Sequence, residues 1–194
     1  MKPLNEIYGD RFFARRYKLN WRAPIIAKAI YRTFQPDSVI DVGCATGDII
    51  RELLCMGVKA YGIEGSEACY KYLEVLPERV ILRDLRKKFC WIGKVSLCLC
   101  LEVAEHIEEE YADVFIDNLC GLSNKLLLSI AGVGQGGHYH VNLKTISYWH
   151  EKFIEKEYFP DDKPVEKLKA TFEPYKLKDG IRAYYNNMVY YEKA

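Results

Sequence analysis

Charge of either sign is not in excess in this 194-residue chain: 28 lysines and arginines stand against 27 aspartates and glutamates, a formal net charge of +1. So balanced a protein exerts no global field pulling it onto nucleic acid or anionic lipid, and a charged partner has to be met locally. Paired cysteines are missing too. The seven present are odd in number, lie mostly in apolar stretches and contain no C-x-x-C, which argues against a disulfide scaffold or zinc knuckle and for a reducing compartment. No apolar run is long enough to cross a bilayer; the longest, residues 95–104, is interrupted by Ser96 and Glu102. The stretch from Met1 to Glu6 has no apolar character of a secretion signal, so a cytoplasmic location with no membrane partner is expected. Repeats, low-complexity tracts and Gly/Ser linkers are also absent.

What is present is apolar and aromatic. Hydrophobic residues make up 49% and aromatic residues 13%, including 15 tyrosines, too much apolar surface for a disordered chain. The length suits one domain over 1–194, at about 150 residues per domain. Short β-rich runs alternate with helical patterns, which predicts an α/β fold with a largely parallel sheet. The expected strands are 38–42, 59–64, 80–82, 95–101, 126–130 and 187–191. Helices are expected from Pro24 to before Gln35, from Asp48 as N-cap to Gly57, over 66–73, within 108–122 and over 145–156. Residues 158–180, with three prolines and many lysines, read least clearly and suggest one short helix over 165–172.

The sharpest local signal is Asp41-Val42-Gly43-Cys44-Ala45-Thr46-Gly47-Asp48 after the first strand. Small residues there let backbone approach a ligand while helix N-terminal amides point at it. A dinucleotide fingerprint needs G-x-G-x-x-G, whereas Gly43-x-Ala45-x-Gly47 closes one residue sooner, and the Gly-Lys-Ser/Thr of a Walker loop is absent. Glu64, 21 positions after Gly43, ends the second strand, where a carboxylate can accept from both hydroxyls of a ribose. Asp84 follows the third strand, and Leu101-Glu102-Val103-Ala104-Glu105-His106 ends the fourth.

In this order the stations resemble the class I S-adenosylmethionine-dependent methyltransferases, over the central two-thirds of the chain. The resemblance implies a Rossmann-like methyltransferase fold: a seven-stranded, mostly parallel sheet with an antiparallel carboxyl-terminal strand. It implies that Asp41, Gly43 and Gly47 cradle the methionine part of S-adenosylmethionine, Glu64 the ribose, and Asp84 with Leu85 the adenine. Cys44, Ala45, Gly65 and Leu101 complete the cofactor-binding set. The chain departs from the pattern twice, with Ala45 at the usual middle glycine and Ser96 where an Asp is common early in strand four.

Methyl transfer needs an aligned nucleophile and, for a hydroxyl acceptor, a general base. His106, His138 and His140 are the candidates, the first after strand four and the others in the Gly-rich loop after strand five; His150 reads as a helix residue. The ExxEH of Glu102, Glu105 and His106 is also similar to metal-assisted ubiquinone-biosynthesis O-methyltransferases and small-RNA terminal 2′-O-methyltransferases. That likeness implies a divalent metal on Glu102, Glu105, His106 and either His138 or His140, although ExxEH recurs in members that bind none. The loop 134–142 has the permissive backbone of a gating element. The resemblance also implies that residues 1–35 form a helical lid over the acceptor. There Arg11, Arg15, Arg16, Lys18 and Arg22 alternate with Tyr8, Phe12, Phe13, Tyr17 and Trp21, a pattern fitting an anionic or aromatic substrate, single-stranded nucleic acid, or simply an amphipathic helix with a solvated face.

The expected function is methyl transfer from S-adenosylmethionine to a small-molecule oxygen or nitrogen. The alternatives are a nucleic-acid (ribose 2′-O) methyltransferase, metal-assisted or not, and a catalytically idle cofactor-binding subunit.

Overall fold

The computed structural model describes residues 2–194; Met1, first residue of the expected domain and lid segment, lies outside the described residues. The chain opens with α1 (Leu4–Ile7), α2 (Asp10–Tyr17), a 3₁₀ turn at Asn20–Arg22, and α3 (Ala23–Phe34). There follow β1 (Ser38–Val42), α4 (Asp48–Cys55), β2 (Lys59–Glu64), β3 (Val80–Leu82), β4 (Leu97–Leu101), α5 (Ala112–Leu122) and β5 (Lys125–Ser129). The remainder is α6 (Ile146–Ile154), β6 (Tyr158–Pro160), α7 (Asp162–Phe172), α8 (Arg182–Asn187) and β7 (Met188–Lys193).

All seven strands join one sheet in the order β3-β2-β1-β4-β5-β7-β6. Pairings from β3 through to β5 are parallel, and β7 runs antiparallel to both neighbours. Alternation in the strands explains the three layers. Val39, Leu97, Leu99 and Leu127 pack under α3, α4 and α7, while Ile40, Val42, Cys98, Cys100, Leu126 and Leu128 pack under α5 and α6. Both faces are thus covered, as an internal parallel sheet requires.

Several details differ from the sequence reading, among them the expected helix over 66–73, which is a 3₁₀ stretch at Glu67–Tyr72. The seventh strand, β6, lies in the segment that read least clearly. It is three residues long, ends on Pro160 and pairs only at the sheet edge, where a missing N–H is tolerated. The fourth strand starts at Leu97, because Val95 makes only an isolated bridge to Ser123 while the Ser96 hydroxyl bonds Ser38. Asp48 is the first residue of α4 rather than its cap. Gly47, at φ 72°, occupies the cap, and Asp48 Oδ1 accepts from the next amide at 3.0 Å.

Candidate active site

The sheet order reverses between β1 and β4, and a crevice opens there at the carboxyl ends of the strands. It is a cavity of about 920 Å³. Its floor comes from the loops after β1, β2, β3 and β4, one wall from residues 137–140, and its cover from α1, α2 and the start of α8.

The loop after β1 turns by left-handed residues: Gly43 at φ 77°, Ala45 at φ 50° and Gly47 at φ 72°. A Cβ on Gly43 would stand 2.4 Å from Val103 Cγ2, and one on Gly47 2.8 Å from Val75 Cγ2, so close approach as well as φ requires glycine at both. Ala45 adopts the same region without that freedom. Gly43 and Ala45 face the cavity; Asp41, Cys44 and Gly47 do not contribute to its surface. Asp41 lies beneath, 4% exposed, and burial, reinforced by Asp48, raises its carboxyl to about 7.

Glu64 is fixed by backbone from two loops. Oε2 accepts from the Ala45 amide at 3.1 Å, and Oε1 from Gly65 and Ser66 at 2.7 and 3.0 Å. Burial pushes its carboxyl up while these amides oppose the shift. Asp84 sits at the cavity rim, clasped by Arg86 through Nε and Nη2 at 2.9 and 3.0 Å. Burial alone would raise Asp84, but the Arg86 hydrogen bonds prevail and hold it below the ordinary value. Arg86 also reaches Glu108 and the Lys2 carbonyl, tying the third-strand acid to the amino-terminal segment. Gly65, Leu85 and Leu101 complete the apolar and backbone lining here.

At the opposite wall His106, His138 and His140 all reach the cavity. The Nδ1–H of His106 donates to the Tyr139 carbonyl at 3.0 Å and that of His140 to the Gln135 carbonyl at 2.9 Å, which leaves each Nε2 lone pair free. His138 instead donates from Nε2 to the Ile7 carbonyl at 2.8 Å, closing the loop onto α1. Glu105 is 0% exposed, and neither of its carboxylate oxygens has a hydrogen-bond partner. Its backbone carbonyl accepts from Val141 and Asn142, both at 3.0 Å, which brings His140 Nε2 to 3.9 Å from Glu105 Oε1, too far for a hydrogen bond. Burial and the charge of Glu102 raise the Glu105 carboxyl to about 8, and burial lowers the His106 imidazole to about 4.

Glu105, His106 and His140 therefore form one cluster, their ligand atoms all within 4.8 Å of one another. Glu102 and His138 stay outside it. Glu102, at φ 57°, turns to accept from Asn187 Nδ2 at 3.2 Å, and the His138 ring nitrogen is spent on α1. Sequence reasoning missed three groups of the cavity wall. Tyr8 stands edge-on to His106 with ring centroids 5.8 Å apart, its buried hydroxyl without a partner. Gly180 ends the segment that read least clearly, and Tyr184 follows it in a stretch that the sequence reading assigned to no element and that forms α8; Tyr8 was visible only as a member of a basic, aromatic run.

No family model and no curated protein matches this chain. Solved structures do. Mitomycin 7-O-methyltransferase MmcR is 12% identical with a TM-score of 0.57, covering 73% of this chain and 48% of its own. The plantazolicin methyltransferase BpumL, in complex with SAH, is 14% identical with a TM-score of 0.62 over 98% of this chain and 93% of its own. Human N-acetylserotonin methyltransferase, in complex with SAM, is 10% identical with a TM-score of 0.63, covering this whole chain and 59% of its own. The chain thus spans about half the length of the first of these and nearly all of the second. Likeness at such identity speaks for architecture, and on that ground the chain has the Rossmann-like fold of class I methyltransferases.

Proposed function

We propose that the protein is an S-adenosylmethionine-dependent methyltransferase acting on a small-molecule oxygen or nitrogen. The observation that carries this reading is Glu64: a buried carboxylate at the end of β2, locked by three amides, facing a 920 Å³ cavity beside a left-handed small-residue loop. Glu64 takes the ribose hydroxyls, Asp84 and Leu85 flank the adenine, and Gly43, Ala45 and Leu101 line the channel toward the methionine end. Asp41, Cys44 and Gly47 support the loop from beneath.

The cofactor, when bound, supplies a methyl group on a sulfonium sulfur. The chain's own task is to hold an acceptor in line at about 3 Å and keep water out. His106, neutral at physiological pH, presents a free Nε2 to take the proton that a hydroxyl or amine loses as the new bond forms. Its low basicity favours an acceptor that is itself fairly acidic. His138 and His140 shape the same wall, and α1 and α2 act as the lid, whereas α3, the rest of the expected lid segment, belongs to the layer packed on the sheet.

A second reading rests on Glu105. Its two orphaned oxygens, buried beside two histidines whose Nδ1–H groups are spent on carbonyls, fit a divalent cation. Glu105, His106 and His140 would hold it, and it would supply Lewis acidity to adjacent acceptor oxygens, as on a ribose.

The test is calorimetry followed by turnover. Saturable heat with S-adenosylmethionine and S-adenosylhomocysteine is expected, weakened at least about tenfold in Glu64→Gln. Silence with both ligands at saturating dose would defeat the reading. Turnover abolished by chelator and restored by magnesium or manganese would select the metal-assisted form; turnover indifferent to chelator would reject it.

A further inference from the structure

The basic run of residues 11–22 does not behave as one solvated face. Arg11, Arg15 and Lys18 are exposed, although Arg11 and Arg15 border the cavity; Arg16 is half-buried and Arg22 buried, and both line the cavity. Arg16 falls on the inward side of α2 with Phe12 and Phe13, at the spacing that places residues on one helix face. Arg22, in the following 3₁₀ turn, is only 5% exposed. Its guanidinium carbon lies 5.3 Å from the centre of the Tyr184 ring. Gly180, at φ 88°, lies beside the arginine stem, where a Cβ would make an ordinary contact 3.5 Å from Arg22 Cδ.

No carboxylate forms a salt bridge with either guanidinium among the described residues. Asp48, Glu102 and the Tyr184 hydroxyl act on both arginines only through the field. Each arginine also repels the other: Arg16 is one of the charges that lower Arg22. Arg22 is a buried charge without a contacting counter-ion, which is costly, and half-buried Arg16 lines the same cavity beside it. The arrangement makes physical sense when an anion from outside completes it, and planar forks favour a planar, bidentate partner.

We infer that Arg16 and Arg22, with Tyr184 behind them, form a carboxylate-binding subsite that anchors the methyl acceptor. The inference deepens the methyltransferase reading and rests on it for the word acceptor. The arginines come from α2 and the turn after it, Tyr184 from α8; the groups assigned to sugar and base come from the strand ends. The cavity therefore has two chemically different ends, and the acceptor is an organic acid whose carboxylate sits at the arginine end while its nucleophile reaches the histidines.

The experiment uses the full chain saturated with S-adenosylhomocysteine and titrated with benzoate as probe. Saturable binding by the wild type is expected, weakened at least about tenfold in Arg22→Met and in Arg16→Met, the effect of removing one charge-assisted fork. Affinity for S-adenosylhomocysteine should change less than about twofold. Arg22→Lys keeps the charge and the packed stem but not the fork; with an unchanged melting temperature it should still bind benzoate several-fold more weakly. Equal benzoate binding in all four proteins, or none in the wild type, overturns the inference. So does a loss of S-adenosylhomocysteine affinity parallel to the loss of benzoate, because the arginines would then hold the cofactor's own carboxylate. If the wild type ignores S-adenosylhomocysteine yet binds benzoate through both arginines, the subsite stands and the methyltransferase reading falls.

Discussion

Ala45 carries a local conflict between sequence and backbone. Its φ of 50° is a conformation glycine enters freely, and an L-residue with a Cβ enters it at a cost of about 1 kcal/mol. Ala45→Gly should recover that strain, and glycine's extra freedom in the unfolded chain takes back roughly half. A net gain of about 0.5 kcal/mol follows, a rise of about 1–2 °C in melting temperature; a fall on thermal unfolding would show that the loop is not strained at this residue. Asp41 carries a conflict of another kind. Its carboxyl, raised to about 7 by burial with Asp48 adding, keeps its proton in the folded state after the unfolded chain has lost it. The stability it contributes is complete below about pH 4 and is lost as pH rises toward 7. Asp41→Asn keeps the shape and cannot titrate, so the variant's urea midpoint should decline less than the wild type's across that window. Parallel profiles would mean that Asp41 ionises as freely folded as unfolded.

Among the elements, α1 and the loop 134–142 depend on each other. The His138 ring donates to the Ile7 carbonyl at 2.8 Å and lies against Phe12 with centroids 5.6 Å apart. His138→Ala should therefore speed amide exchange across residues 4–17 while leaving β1 and β4 protected; unchanged exchange in α1 and α2 would show that the cover is held by its other contacts. Elements with strong periodicity were legible in advance. β1, β2, α4 and α5 follow from runs such as Ser38–Val42 and the spacing of Phe115, Leu119 and Leu122. β6 was not, because three residues ending in proline hold no period of their own and pair only after β7 is in place. α7 read too short for a different reason: Asp161 caps it and its first turn is Asp162, Lys163 and Pro164, residues that start a helix without marking its buried face.

At the scale of the whole molecule, all seven cysteines are free thiols, and the fold rather than oxidation decides which react. Cys55 and Cys90 are exposed, while Cys44, Cys69, Cys98 and Cys100 are buried with thiols pushed up by burial. Under native conditions an excess of a thiol-reactive disulfide should label Cys55 and Cys90 rapidly and the buried four only with unfolding. Rapid modification of Cys98 or Cys100, read by mass spectrometry, would contradict the covered sheet. Reductant should leave the melting temperature unchanged.

Residue order alone was enough to read the alternation of strands and helices, the small-residue loop after β1 and the acids that follow β2 and β3, because those depend on periodicity and on short-range backbone needs. It named the histidines without saying which of them meet. It took the folded chain to bring Glu105, His106 and His140 together while Glu102 and His138 turn elsewhere, and to set Arg22 of a basic run against Tyr184 with Arg16 lining the same cavity. Those choices depend on contacts between segments far apart in the chain, such as Glu102 with Asn187 and Arg22 with Tyr184. Such contacts are set by packing geometry, which no local pattern of residues encodes.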